Sequence, residues 1–254
     1  MGDRPRIWYL VGSIAGVAIL VLLVILMRSH YGSPTRFHDQ GRIYLQRGEY
    51  QKAVEAYGKA IESGSDLAIA YANRGYAYDS LGAYPQAIQD YTNAVELDPH
   101  LAAVYNNRGF AYYNLEAYPE AIEDYTRAIE LDPEYATAYN NRGAAYRDLE
   151  EYDKAIQDYS KAIELDPQMM DAYGNRARAY EHLGKLKQAI EDYSTAITLT
   201  PRRALVYYNR AFVYMKMGER EKAIEDFRSV VRYADQDERI AFIAQEELDL
   251  LGAK

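Results

Sequence analysis

The chain has 254 residues, a formal net charge of −9, and charged residues making up 26% of its length. So acidic a chain repels phosphate backbones, which argues against nucleic acid as a partner and confines any adhesion to anionic lipid to the arginines near the N-terminus. With no cysteine, disulfides, thiol chemistry, cysteine-ligated metal and lipid attachment through an N-terminal cysteine are all excluded.

Residues 1–6 form a short flank carrying Arg4 and Arg6. Residues 7–27, IWYLVGSIAGVAILVLLVILM, are 21 uncharged residues, long enough to cross a bilayer as one helix. Trp8 and Tyr9 at one edge and Tyr31 just past the other stand where interfacial aromatics belong. The run is longer than the apolar region of a signal peptide, and no small-x-small cleavage site comes after it, so an uncleaved anchor is expected. Arg28, Arg36 and Arg42 after the segment nearly balance Arg4 and Arg6 before it, which leaves the side of the membrane undetermined. Gly12 and Gly16 form a small-xxx-small pair. It reads either as a crossing point for a second transmembrane helix and hence a route to a homo-oligomer, or as ordinary glycine in a membrane helix. Residues 28–33 are a linker too short to carry the next segment far from the membrane surface.

From residue 34 the chain repeats itself. The stretch 102–135, AAVYNNRGFAYYNLEAYPEAIEDYTRAIELDPEY, meets near-copies of itself when shifted by its own length of 34 residues, without insertion or deletion. Six copies run over 34–67, 68–101, 102–135, 136–169, 170–203 and 204–237. Within the third copy, small residues fall at positions 8, 20 and 27 (Gly109, Ala121, Ala128), aromatic ones at 4, 11, 17 and 24 (Tyr105, Tyr112, Tyr118, Tyr125), and proline at 32 (Pro133). Of the 27 tyrosines, 20 occupy those four aromatic positions, so their abundance is a matter of packing. Apolar residues at helical spacing from Tyr105 to Leu115 and from Ala121 to Leu131 predict two amphipathic helices per copy. The turn between them carries Gly48, Gly82, Gly184 and Gly218 at position 15, suited to a left-handed helix end, while Glu116 and Glu150 depart from the pattern. Asp98-Pro99, Asp132-Pro133 and Asp166-Pro167 stop the second helix. One helix pair cannot cover its own apolar face; stacking the next pair on it does.

The first copy is the least regular, with Phe37 at position 4 and Ser65 in place of proline. At the other end, residues 238–254 predict a capping helix with Ile240, Ile243, Leu248 and Leu251 as its apolar stripe. Phe242 and Leu250 lie off that stripe, as a solvated face or a docking surface.

Position 7 is arginine in copies two to six (Arg74, Arg108, Arg142, Arg176, Arg210), and position 23 is aspartate in the same five (Asp90, Asp124, Asp158, Asp192, Asp226). In the first copy both are lost together, to Gln40 and Ala56. The joint loss predicts a bidentate, partly buried ion pair between the two helices of each copy.

The 34-residue period with this spacing of small, aromatic and proline residues resembles the tetratricopeptide repeat (TPR) family, which implies an all-α, right-handed superhelical solenoid. By that resemblance, positions 2, 5, 6, 9, 12 and 13 of each first helix face a concave groove. Asn73, Asn107, Asn141, Asn175 and Asn209 fill position 6, where asparagine costs about 0.5 kcal/mol relative to alanine. The row resembles the asparagine ladder of O-linked N-acetylglucosamine transferase, whose amides hold an extended peptide backbone. The other reading is that the amides bond within the array. Tyr76, Phe110, Tyr113, Tyr208, Phe212 and Met215 are expected on the same face, exposed, with Arg147, Arg178, Asp148, Glu181 and His182 adding mixed charge. The carboxylate clamp of chaperone-binding relatives is not matched: His38, Arg42, Ala103 and Asn107 stand where its lysines, asparagine and arginine would be.

There is no glycine-rich phosphate loop and no His-x3-His pair, and the four histidines (His30, His38, His100, His182) are scattered. The expectation is a non-catalytic chain without cofactor or metal, anchored in a membrane and recruiting a protein or peptide along its groove for assembly, secretion or envelope biogenesis. The rival expectation is a scaffold that self-assembles through the transmembrane helix or the array ends.

Overall fold

The computed structural model describes residues 34–64, 66–234 and 238–253. The anchor, the Gly12/Gly16 pair and the linker expected over residues 1–33 lie outside them. The described residues form thirteen α-helices and no strand. They are α1 (Pro34–Gln46), α2 (Tyr50–Glu62), α3 (Leu67–Ser80), α4 (Tyr84–Leu97), α5 (Ala102–Asn114), α6 (Tyr118–Leu131), α7 (Ala136–Asp148), α8 (Tyr152–Leu165), α9 (Met170–His182), α10 (Leu186–Leu199), α11 (Ala204–Lys216), α12 (Arg220–Tyr233) and α13 (Glu238–Leu250). Among the described residues, no helix is long and apolar enough to cross a membrane. The chain divides into two compact units at His100/Leu101. In the first, α1 to α4 pack in sequence and α1 also touches α3. In the second, α5 to α13 pack in sequence, and the first helices of neighbouring repeats, α5, α7 and α9, touch in succession.

The turns follow from local chemistry. At position 15 the backbone is left-handed in every repeat, with φ of 70° at Gly48 and 73° at Gly82, and also 59° at Glu116 and 62° at Glu150. The glutamates therefore keep the turn and bear its strain. One residue on, the chain folds back to bond the last turn of the first helix, as in Ala117 N–H to Tyr112 O at 3.0 Å and Glu151 N–H to Tyr146 O at 2.8 Å. After α4, α6 and α8 the following proline forces Asp98, Asp132 and Asp166 into extended backbone. Their carboxylates then accept the amide N–H two residues on, from His100, Glu134 and Gln168, at 3.0–3.1 Å.

The core is small and aromatic by turns. Position 24 is the largest buried side chain of each repeat: Tyr57, Tyr91, Tyr125, Tyr159, Tyr193 and Phe227. Alanines at positions 20 and 27, such as Ala121 and Ala128, are fully buried around it. Glycine at position 8 lets the first helix lie against the ring: a Cβ on Gly143 would sit 2.8 Å from Tyr159 Cε1. In the fifth and sixth repeats Ala177 and Ala211 take that place beside Tyr193 and Phe227. At the C-terminal end, Ala244, Leu248 and Leu251 close the last cluster, while Phe242 and Leu250 are 63% and 80% exposed.

All five expected ion pairs form. Arg142 on α7 donates from Nε and Nη2 to the two carboxylate oxygens of Asp158 on α8, both at 2.8 Å, and the other four pairs repeat this fork at 2.7–2.8 Å. The aspartates are 3–6% exposed. Burial pushes the carboxyls of Asp124 and Asp226 above their usual range, a shift the paired arginine offsets only in part. The pair is thus a costly one to bury and costlier to break.

Two further contacts complete Arg142, Arg176 and Arg210. Their flat faces lie against the tyrosines of positions 4 and 11: the guanidinium of Arg142 is 5.7 Å from the Tyr139 ring centre and 6.0 Å from that of Tyr146. Arg74, Arg176 and Arg210 are flanked in the same way. Nη1, left over from the fork, reaches back to the preceding repeat, donating to Thr126 from Arg142 (3.0 Å), Ser160 from Arg176 (2.9 Å) and Ser194 from Arg210 (2.8 Å). Each of these arginines therefore ties together three helices. In the first repeat the hydroxyl position is Gly58, which gives Arg74 nothing to bond.

Asp158→Ala strands a buried guanidinium and costs about 3–5 kcal/mol in denaturant unfolding of the full chain, whereas Arg142→Met with Asp158→Leu together cost far less. Glu116→Gly and Glu150→Gly each relieve left-handed strain and raise stability by about 0.5–1 kcal/mol in the same assay. Asp79 on α3 has its carboxyl pushed up to about 6 by burial, with Oδ1 lacking a hydrogen-bond partner. Because the folded chain holds that proton where the unfolded chain has lost it, stability falls as pH rises from about 4 to about 6. Asp79→Asn removes that dependence and adds about 1–2 kcal/mol at pH 7, allowing for the side chain's partial exposure.

Candidate protein-binding groove

Positions 9 and 12 of α5, positions 5, 6, 9 and 12 of α7 and α9, and positions 5, 6 and 9 of α11 line a row of hollows in the second unit. The first, about 350 Å³, is lined by Phe110, Tyr113, Asn141, Arg147, Asn175 and Arg178, with Tyr125 and Ala144 among its other walls. A narrower one of about 90 Å³ follows, with Asn175, Arg178, Tyr193 and Asn209. The third, about 340 Å³, is lined by Arg178, Glu181, His182, Tyr193, Tyr208, Asn209 and Phe212. Arg178 belongs to all three, and buried position-24 tyrosines line each of them. Nine of the twelve residues expected to bind a partner therefore meet along one channel. Asn107 stands on α5 just beyond it. Asn73 and the 44%-exposed Tyr76 belong to α3 in the first unit.

The asparagines are not independent. Asn175 donates to Asn140 (3.2 Å), Asn140 to Asn141 (3.5 Å), Asn141 to Asn106 (3.1 Å) and Asn106 to Asn107 (3.3 Å). Bonding within the array thus occurs, through position 5 as well as position 6. It does not exhaust the amides, since each nitrogen carries two hydrogens and spends one. Gly174 at position 5 of the fifth repeat has no side chain to continue the ladder, which leaves Asn209 outside it on the channel wall.

Tyr113 and Arg147, expected to be exposed, are partly buried because they bond each other. Arg147 donates to both oxygens of Asp148 (2.8 and 3.1 Å), to the Tyr113 hydroxyl (3.3 Å) and to Asn175 Oδ1 (3.3 Å), while Tyr113 donates to Asp148. Burial first, and then Asp148, push the Tyr113 hydroxyl up to about 12, so it stays protonated as a donor. Burial opposes the charge on Asp148, yet bonds from Arg147 and Tyr113 hold its carboxyl below the usual range. Tyr208, Phe212 and Met215, also expected to be exposed, pack against the C-terminal cluster; the Phe212 ring centre is 4.8 Å from that of Tyr208 and 5.4 Å from that of Phe227. Tyr208 and Phe212 still line the channel. His182 stacks on Tyr152 with ring centres 4.8 Å apart. Phe110 remains 42% exposed.

A separate hollow of about 450 Å³ between α5 and α6 shares no residue with the channel. Two ion pairs line it, Arg108 with Asp124 and Arg127 with Glu130, together with Glu123. Among the described residues, no group of three or more histidine, aspartate or glutamate side chains is arranged to hold a metal ion.

Tetratricopeptide repeat profiles match residues 102–135, 136–169, 159–191 and 204–237, and a TPR repeat profile matches 41–82, 75–116 and 177–218. No curated protein sequence matches the chain. Among solved structures, the MamA protein is 29% identical, with a TM-score of 0.60 over 67% of this chain and 93% of that one. YrrB, described as a TPR protein with an unusual peptide-binding site, is 27% identical, with a TM-score of 0.60 over 76% of this chain and all of its own. Pseudomonas aeruginosa pilF, at 21% identity and a TM-score of 0.70 over 86% of this chain and 99% of its own, shares the fold. With repeat profiles matched from residue 41 to residue 237, the chain belongs to the tetratricopeptide repeat family.

Proposed function

We propose that the protein is a non-catalytic recruiter: a right-handed TPR superhelix, held at a membrane by residues 7–27, that takes an extended segment of another protein along its channel. One observation carries this reading. The hollows on either side of Arg178 are joined by a narrow one, making a path several residues long rather than a closed pocket. Its chemistry suits a backbone. Amide N–H groups left over from the asparagine ladder meet carbonyls whatever the side chains are, and Phe110, Tyr208 and Phe212 offer apolar seats. The unusual peptide-binding site attributed to YrrB is consistent with a peptide-binding role in a chain of this kind. The side chains in the channel bond one another without forming a nucleophile and base or a metal cage, so recruitment, and not catalysis, is the work assigned to it.

Self-assembly through the array ends draws on the exposed Phe242 and Leu250 of α13. A photocrosslinking amino acid placed at position 110 or 242 of the full chain in native membranes separates the two readings. Recruitment predicts a discrete adduct from position 110 that disappears when Asn141 and Asn175 are replaced by alanine, and none from 242. Adducts of twice the chain's mass from position 242, with none from 110, would replace recruitment by self-assembly.

A further inference from the structure

The charges around the middle of the channel are matched, with one exception. Asp148 is held by Arg147 at 2.8 Å, Asp171 by Arg203 at 3.0 Å, and Glu181 by Lys216 at 2.6 Å. Arg178, exposed on α9 at the point common to all three hollows, has no hydrogen-bond or ion-pair partner among the described residues. Three neutralised carboxylates and a fourth cation give this spot a surplus positive charge in a chain whose net charge is −9. Nearby, the hydroxyl of Tyr159 is buried with no hydrogen-bond partner, while Tyr193, whose hydroxyl meets the Glu181 carboxylate, lines two of the hollows.

We propose that Arg178 receives the side-chain carboxylate of an aspartate or glutamate within the extended segment that the channel binds. This rests on the recruiter reading above and names its anchor. A carboxylate matches the planar fork of a guanidinium, two N–H groups to two oxygens. A phosphoryl dianion fits worse, because one cation would face a double charge with Asp148, Asp171 and Glu181 close by. An internal residue fits better than a chain end, because hollows of about 350 and 340 Å³ open on both sides of Arg178 and the chain must continue through them. Phe110 on one side and Tyr208 with Phe212 on the other then place apolar residues before and after the acid. The partner segment reads as apolar, acidic, apolar.

The test uses the full chain in detergent micelles and bead-bound dodecapeptides with random flanks, blocked at both ends, whose central residue is fixed as Glu, Gln or Lys. A fourth library has central Gln and a free C-terminal carboxylate. The wild-type chain is expected to retain Glu-centred peptides about tenfold more than Gln-centred ones, the worth of one charge-assisted hydrogen bond. Arg178→Gln abolishes that preference, and Arg178→Glu turns it toward Lys-centred peptides. Because Arg178 bonds nothing in the fold, circular dichroism of Arg178→Gln should match wild type, which keeps the comparison valid should Arg178→Glu fold poorly. Equal retention of Glu and Gln libraries, an acidic preference that survives Arg178→Gln, or retention confined to the free-ended library would each overturn the anchor and leave the channel standing. Retention of none of the four would overturn both.

Discussion

Stacking in the last three repeats depends on an arginine, Arg142, Arg176 or Arg210, set at a point where three helices meet. Arg142 forks onto Asp158 across its own helix pair, bonds Thr126 in the pair before, and presents its two faces to Tyr139 and Tyr146. A leucine of similar volume would bury as much apolar surface without the desolvation cost. It could not tell one register of neighbouring helices from another, because apolar contacts are non-directional. The fork, the hydroxyl bond and the two rings are satisfied together in one relative placement only. Alanine and glycine at the helix contacts supply close approach with little directional preference, so in the last three repeats the polar contact is the part that fixes where each sits on the one before.

The same economy shapes the channel. Four pairs of helices present similar side chains at similar angles, so any polar group left single on that face would be left single several times over. The asparagines at positions 5 and 6 avoid this by bonding across repeats, and Arg147, Asp148 and Tyr113 by forming a closed knot. Where the sequence departs from the period the bonding breaks. Gly174 ends the asparagine ladder, and Arg178 stands in a row whose other members are Phe110, Ala144 and Phe212. Regular positions build the wall, and irregular ones are where a partner can be distinguished.

Much of this was legible in the sequence because the repeats act as internal controls. The Arg–Asp pair could be read from its joint loss to Gln40 and Ala56, and the ends of the second helices from their Asp-Pro stops. The rings at positions 4 and 11 gave no such signal, since a tyrosine filling a gap and a tyrosine flanking a guanidinium have the same spacing. Thr126, Ser160 and Ser194 resembled solvated helix-face residues until the third donor of each arginine was seen to point at them. Glu116 and Glu150 depart from the glycine pattern, yet the backbone there is left-handed as in the other repeats. In the channel, side-chain identity predicted which residues would gather but not which would be spent on each other. Arg147 and Arg178 look equivalent as letters, and only the geometry shows one consumed by Asp148 and the other unpaired.

That difference bears on how such a channel can bind at all. An extended segment loses backbone and side-chain freedom on binding, which only preorganised contacts can offset. The ladder holds its asparagines at fixed spacing before any partner arrives, so their remaining N–H groups are offered without further ordering. Uniform amides favour no particular register along the channel, however, and a segment could slide by a residue at little cost. A single cation at Arg178, common to all three hollows and without an ion-pair partner among the described residues, breaks that degeneracy. It does so with a charge that needs no rearrangement of the fold, because Arg178 forms no hydrogen bond or ion pair that a partner would have to break.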